Sequence, residues 1–235
     1  MKLSIPPHRS QIWKDFCAVH AIDKYGVHLF ETSNGIVQTK RYGVDQRLIL
    51  KRSIEMESVV IDQVSLVLED YIKSNGVYDG LIYMMYWKDN QIIIPLYIGK
   101  SEKIGRIGNL SANIANIEKN KQYFCRWGDN YAYHIGDLSA SILSGHHPSK
   151  LVNKYRRWAE KLFLQFPCEE PVLRRQTFFW IKAWKKEDIS IWKEYGATSL
   201  TFLEYLLIGV ASDIFPDYLL NSDGVNRQRK DDQPI

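Results

Sequence analysis

Apolar residues recur along this chain at two different periods. Within 58–72, Val60, Val64, Val67, Leu68 and Tyr71 repeat at helical spacing, with Asn75-Gly76 as a stop. Leu200 to Ser212 is an almost wholly apolar helix containing one acid, Glu204. Between them lies a strongly apolar run, 81–87, punctuated by Lys88-Asp89-Asn90 and answered by a second run, 92–99, which together predict a β-hairpin. Residues 177–184, rich in Phe and Trp, read as a further strand. Nearer the start, Val27 to Phe30 and Ile36 to Thr39 flank Asn34-Gly35, a hairpin signal. Helical spacing is also compatible with 111–120. From Ser149 to Gln165, Leu151, Tyr155, Trp158 and Leu162 share one side and Lys150, Lys154, Arg157 and Lys161 another. The chain after Ser222 is polar and reads as a frayed tail.

Composition narrows the class. Hydrophobic residues make up 45% and charged residues 25%, the balance of a water-soluble domain, and no stretch approaches the ~18 apolar residues of a membrane span. The opening residues have no apolar segment before Pro6-Pro7, so no signal peptide is expected and the cytoplasm is the expected compartment. Cys17, Cys125 and Cys168 are odd in number and form no CxxC pair, which argues against a disulfide framework or a structural zinc site. A net charge of +4 and a pI near 8.8 permit an anionic partner without demanding one. No nucleotide-binding glycine loop or serine-hydrolase signature is present.

The chemistry worth pursuing lies on the hairpin. Tyr83 and Tyr97 stand on its two strands. A phenol has an ordinary pKa of about 10 and is a poor base at neutral pH, but neighbouring cations favour its ionised form. Lys100, Lys103 and Arg106 follow Tyr97 closely and are candidates to supply that field and to grip a phosphate. Glu204, alone in its apolar helix, is costly to bury unpaired; a hard divalent cation with oxygen ligands offsets that cost.

Taken in order, Gly80-Leu81-Ile82-Tyr83, Tyr97-Ile98-Gly99-Lys100-Ser101, Arg106, Glu204 and Asn221 resemble the GIY-YIG nuclease family. The second tripeptide is intact and the first reads Leu81-Ile82-Tyr83. In that family the arginine lies on the helix after the second tripeptide, the glutamate holds a single metal, and an asparagine follows, here after Pro216. The resemblance implies an α/β (α+β) domain with a small antiparallel three-stranded sheet flanked by helices. It implies hydrolysis of DNA with Mg²⁺ or Mn²⁺: Tyr83 as general base, Tyr97 orienting water or phosphate, Arg106 stabilising the transition state, Glu204 binding the metal and Asn221 bracing the site. Lys100 would assist Tyr83 electrostatically. Position 110, where many members place His or Tyr, is Leu110, and His134 or Tyr123 is the candidate substitute.

The interval from Arg106 to Glu204 is long, 204 − 106 = 98 positions. The expected organisation is therefore an N-terminal extension (1–77), a nuclease-like domain (78–222) with an insertion at about 118–195, and a tail (223–235). Expected partners are DNA and, for double-strand cleavage, a second copy of the chain; restriction or phage defence is the expected setting. A catalytically inactive nucleic-acid-binding member of the same fold is the alternative. Each residue also has a plain reading. Tyr83 and Tyr97 as cross-strand core aromatics, Thr201 to Glu204 as a helix capping box, Asn221 as a turn residue, His134 as a structural histidine, and His146 and His147 as exposed loop residues all remain open at this point.

Overall fold

In the computed structural model, residues 7–119, 126–127, 131–132, 135–146 and 151–225 are described. The leading stretch opens with helices α1 (Pro7–Val19) and α2 (Ile22–Tyr25) and the two-residue strand β1 (Val27–His28). Two small hairpins follow, β2 (Thr32–Ser33) with β3 (Ile36–Val37) and β4 (Thr39–Tyr42) with β5 (Arg47–Leu50). The Asn34-Gly35 turn forms as expected, with positive φ at both residues (51° and 80°), the backbone of a type I′ turn. The expected partner strand does not: Val27 and His28 pair with Phe179 and Phe178 instead of with 36–39.

Helix α3 (Ile54–Ile72) starts before the periodic residues because Ser53 caps it, its Oγ accepting the Met56 N–H at 2.9 Å. The helix is fixed by its apolar face. Met56, Val60, Val64, Val67 and Leu68 are buried, each side chain contributing about 1.5–3 kcal/mol relative to exposure. Strands β6 (Tyr78–Asp89) and β7 (Ile92–Glu102) are the predicted apolar hairpin. Then come α4 (Ala112–Lys119), β8 (Arg126–Trp127), β9 (Tyr131–Ala132), α5 (Ile135–Ile142), the basic helix α6 (Asn153–Leu162), β10 (Phe178–Lys185) and α7 (Leu200–Ile214).

The central sheet is antiparallel throughout, in the order β1-β10-β6-β7. It has four strands where three were expected, because β1 covers the start of β10. The stretch 118–195, read as an insertion, contains β10, which pairs with β6 from Phe178↔Tyr86 to Lys185↔Tyr78. That part belongs to the sheet; the rest of the stretch lies before β10 and in residues 186–195 after it. The leading 77 residues pack on the sheet and on α7, α3 against β6 and β10 and α1 against α7.

Strand alternation divides the interior into two cores. Leu81, Tyr83, Met85 and Trp87 enter the core beneath α3, while Ile82, Met84 and Tyr86 enter the one beneath α1 and α7. One buried ion pair ties the first face to the end of the hairpin. The Asp70 carboxylate of α3 accepts from Lys103 Nζ at 2.7 Å and from the Val77 N–H at 2.8 Å. Among the described residues no helix is long and apolar enough to cross a membrane, and Cys17 and Cys168 are free thiols.

Candidate active site

Strand β7 is the outer strand of the sheet, so alternate residues turn their backbone N–H and C=O outward with no strand to receive them. Side chains and one loop receive them instead. The Leu220 N–H donates to the Leu96 carbonyl at 2.7 Å. Asn221 brackets Ile98, its Oδ1 accepting the Ile98 N–H at 3.0 Å and its Nδ2 donating to the Ile98 carbonyl at 2.8 Å. One step further, the Tyr83 hydroxyl donates to the Lys100 carbonyl at 3.4 Å, and the Lys100 backbone amide faces Glu204 and favours its charged form. Tyr83, Glu204 and Asn221, drawn from separate elements, thus line one edge.

Glycines make this arrangement possible. Tyr83 is paired with Gly99 across the hairpin, and a Cβ on Gly99 would lie 2.6 Å from the Tyr83 ring. The phenol crosses β7 at the one residue without a side chain and so reaches the outer edge. Gly80, at φ 148°, lets β6 approach the Ser101 carbonyl where any side chain would collide.

Glu204 is half-buried on α7. Burial pushes its carboxyl pKa up; the Lys100 ammonium and backbone amide favour the charged form, and Glu102 adds a repulsion. The net direction is upward, so these neighbours under-compensate the negative charge. An oxygen-preferring divalent cation fits that deficit. Among the described residues no three His, Cys, Asp or Glu side chains converge as a metal cage. The capping-box reading of Glu204 is overturned. Ser199 is the N-cap, its Oγ accepting the Phe202 N–H at 3.4 Å. Thr201 instead donates to Glu102 Oε1 at 2.6 Å.

Lys100 lies between two acids, with its Nζ 2.6 Å from Glu102 Oε1. The Lys100 and Thr201 hydrogen bonds hold the Glu102 carboxyl below its usual range. Glu102 was not foreseen, although its position two residues beyond Lys100 on one strand places both side chains on one face. Lys103 is not the mobile phosphate grip expected, because Asp70 holds it. Arg106 is exposed in a turn (residues 106–107) before α4, not on the helix. The turn is closed by the Gly108 N–H to the Gly105 carbonyl.

Tyr97 lies on the Tyr83 face, two residues before Gly99. Its ring centroid is 4.9 Å from that of Trp158 on α6, and Lys154 Nζ sits 5.0 Å above the ring. His134 lies outside the described residues, as do Tyr123 and His147. His146 is half-buried, with Nε2 2.8 Å from the Leu48 carbonyl. A cavity of about 220 Å³ beside Asn221 is lined by Arg157, Ser212, Pro216 and Asp217. An apolar cavity of about 450 Å³, bounded by Trp13, Cys17, Ile93 and Phe215, lies between α1 and α7 and touches none of the candidate residues.

Neither a scan against protein-family models nor searches of curated proteins and of solved structures finds a match.

Proposed function

We propose that the chain is a metal-dependent endonuclease hydrolysing DNA phosphodiester bonds at the outer edge of β7, in the manner of the GIY-YIG nucleases. The observation that carries this reading is the meeting of Tyr83 and Glu204 at Lys100, from opposite faces of the sheet. A phenol and an under-compensated carboxylate at the same strand edge are a base and an anionic oxygen donor offered to one phosphate.

In this reading Glu204 is the protein ligand for Mg²⁺ or Mn²⁺, which when bound supplies Lewis-acid stabilisation of the leaving oxygen. Tyr83 would act as the phenolate: its hydroxyl proton, held by the Lys100 carbonyl, is first lost to solvent, and the phenolate oxygen then takes a proton from the attacking water. Tyr97 orients the water or the phosphate on the same face. Lys100, ion-paired with Glu102, holds its ammonium beside Glu204, and Arg106, exposed on its turn, neutralises charge on the phosphate in the transition state. Asn221 fixes the strand that carries Tyr97 and Lys100. Double-strand cleavage with one such centre per chain requires two chains or two successive nicks. A restriction or defence role in the cytoplasm is the setting in which such an enzyme serves.

A second reading is favoured by one observation: Lys100 already lies between Glu102 and Glu204, an arrangement that would also suit an inactive DNA-binding module. Supercoiled plasmid incubated with the protein and Mg²⁺ separates the two. The nuclease reading expects nicked product, none with EDTA, and none from Glu204→Ala. Nicking that survives Glu204→Ala contradicts the site. DNA binding without nicking of modified or unmodified plasmid favours the binding module.

A further inference from the structure

Lys154 is the feature that the resemblance does not account for. It stands on α6, outside the stretches that resemble the nuclease family, yet its ammonium reaches the ring of Tyr97. Three aromatic faces surround it: Nζ lies 5.0 Å from the Tyr97 centroid, 5.4 Å from Tyr155 and 5.5 Å from Trp158. Trp158 is buried and packs 4.9 Å from Tyr97, so the helix is locked against the strand. Such a box holds a cation by the negative faces of its rings while leaving its N–H groups available.

The acids that face Lys154 are Asp137 of α5 and Asp223 beyond α7, both of which favour its charge. Burial lowers the lysine's pKa despite them, so this ammonium, like Glu204, sits short of opposite charge. The other hairpin lysines differ: Lys103 is spent on Asp70 and Lys100 on Glu102.

One turn along, on the same side of the helix, Arg157 is exposed and lines the 220 Å³ cavity that Asn221 also lines. It borders a second cavity of about 530 Å³ with Lys161 and Arg174. Lys161 is held by the Asp217 carbonyl at 2.6 Å, and Arg174 by the carbonyls of Glu160 and Leu164. Arg156 pairs with Glu160 one turn on, at 3.6 Å, so Lys154 and Arg157 are the α6 cations placed to meet an anion beside Tyr97 and Asn221.

We propose that α6 supplies phosphate-binding cations to this site, with Lys154 gripping a DNA phosphate over the Tyr97 ring and Arg157 gripping its neighbour along the strand beside Asn221. The proposal rests on the nuclease reading for its substrate and goes beyond it in making α6 part of the site. The plain rival is a lysine whose stem merely covers aromatic surface, and it makes no contact with DNA.

The test is the salt dependence of binding to a short fluorescent DNA duplex, read by anisotropy in EDTA so that no cleavage intervenes. Each phosphate contact contributes about 0.9 to the slope of log K against log salt. Lys154→Met and Arg157→Met are each expected to lower the slope by about that amount, and Lys154→Arg to keep it. An unchanged slope in Lys154→Met overturns the proposal. So does an equal drop in Lys24→Met, which removes one charge from α2 elsewhere, and so does a wild-type protein that binds no duplex. Plasmid nicking by wild type and Glu204→Ala, run alongside, separates the two ideas: a lost slope with no Glu204-dependent nicking keeps the α6 contact and removes the nuclease, and an intact slope with it does the reverse.

Discussion

The ring of Tyr83 lies against Gly99, so closely that a methyl group on residue 99 would come within 2.6 Å of it. Because Tyr83 is buried in the core beneath α3, the ring has nowhere to retreat. Gly99→Ala is expected to cost about 1–3 kcal/mol by overpacking and to push the phenol from the edge of β7. A lowered urea midpoint with unchanged cleavage would separate the packing from the chemistry and count against Tyr83 as base.

Asp70 is expected to make stability fall in acid. Burial alone would raise its carboxyl pKa, but hydrogen bonds from Lys103 and from the Val77 and Tyr78 amides outweigh it and hold the value below the ordinary one. A depressed pKa contributes stability that is complete above the unfolded value, about 3.9, and disappears as pH falls through the folded value. Denaturation midpoints for wild type and Asp70→Asn should therefore converge in acid and stand apart at neutral pH. Breaking the buried pair costs about 3 kcal/mol there. Parallel curves at all pH values would contradict the assignment.

Asn221 is expected to be structural before it is chemical. Asn221→Ala leaves the N–H and C=O of Ile98 unpaired in a buried setting, at about 1–3 kcal/mol for each unpaired group. Slower amide exchange at Ile98 than at exposed positions of the strand edge in wild type, lost in the variant, is the expected hydrogen-exchange result. Equal exchange in both proteins would remove the bracing role.

Ser199 and Glu204 should part company in stability measurements. Ser199→Ala removes the cap of α7 and is expected to cost about 1 kcal/mol. Glu204→Gln removes a half-buried, under-compensated charge and is expected to leave the thermal midpoint unchanged or raised, while abolishing Mg²⁺-dependent protection against heat. A large loss of stability in Glu204→Gln would return Glu204 to a structural role.

Much of this was legible in the sequence because it is carried by periodicity. The 3.6-residue spacing of Val60, Val64 and Val67 and the unbroken apolar run from Leu81 to Trp87 each predict the element that forms. The place of β10 was not legible: residues 177–184 read as a strand, but nothing local assigns them to β6 and not to an inserted unit, since pairing is set by contacts distant in sequence. Tyr83, Glu204 and Asn221 were legible as an ordered set, whereas their convergence depends on the free edge of β7. Glu102 and Asp70 were passed over, and Lys154 was read only as part of a basic helix side, because a charged residue gives no sign in sequence of which neighbour it meets. Arg106 was expected on a helix, but Gly105 and Gly108 close a turn around it.

The central claim is that Tyr83 and Glu204 act on one phosphate, and single-turnover cleavage of a DNA substrate by Tyr83→Phe, Glu204→Gln and the double variant tests it most directly. Removing a general base costs about 10²–10⁴-fold in rate, and residues that work as a unit lose that rate only once. The double variant is therefore predicted to be no slower than the slower single variant. Losses that multiply would mean two independent roles and would contradict the shared site.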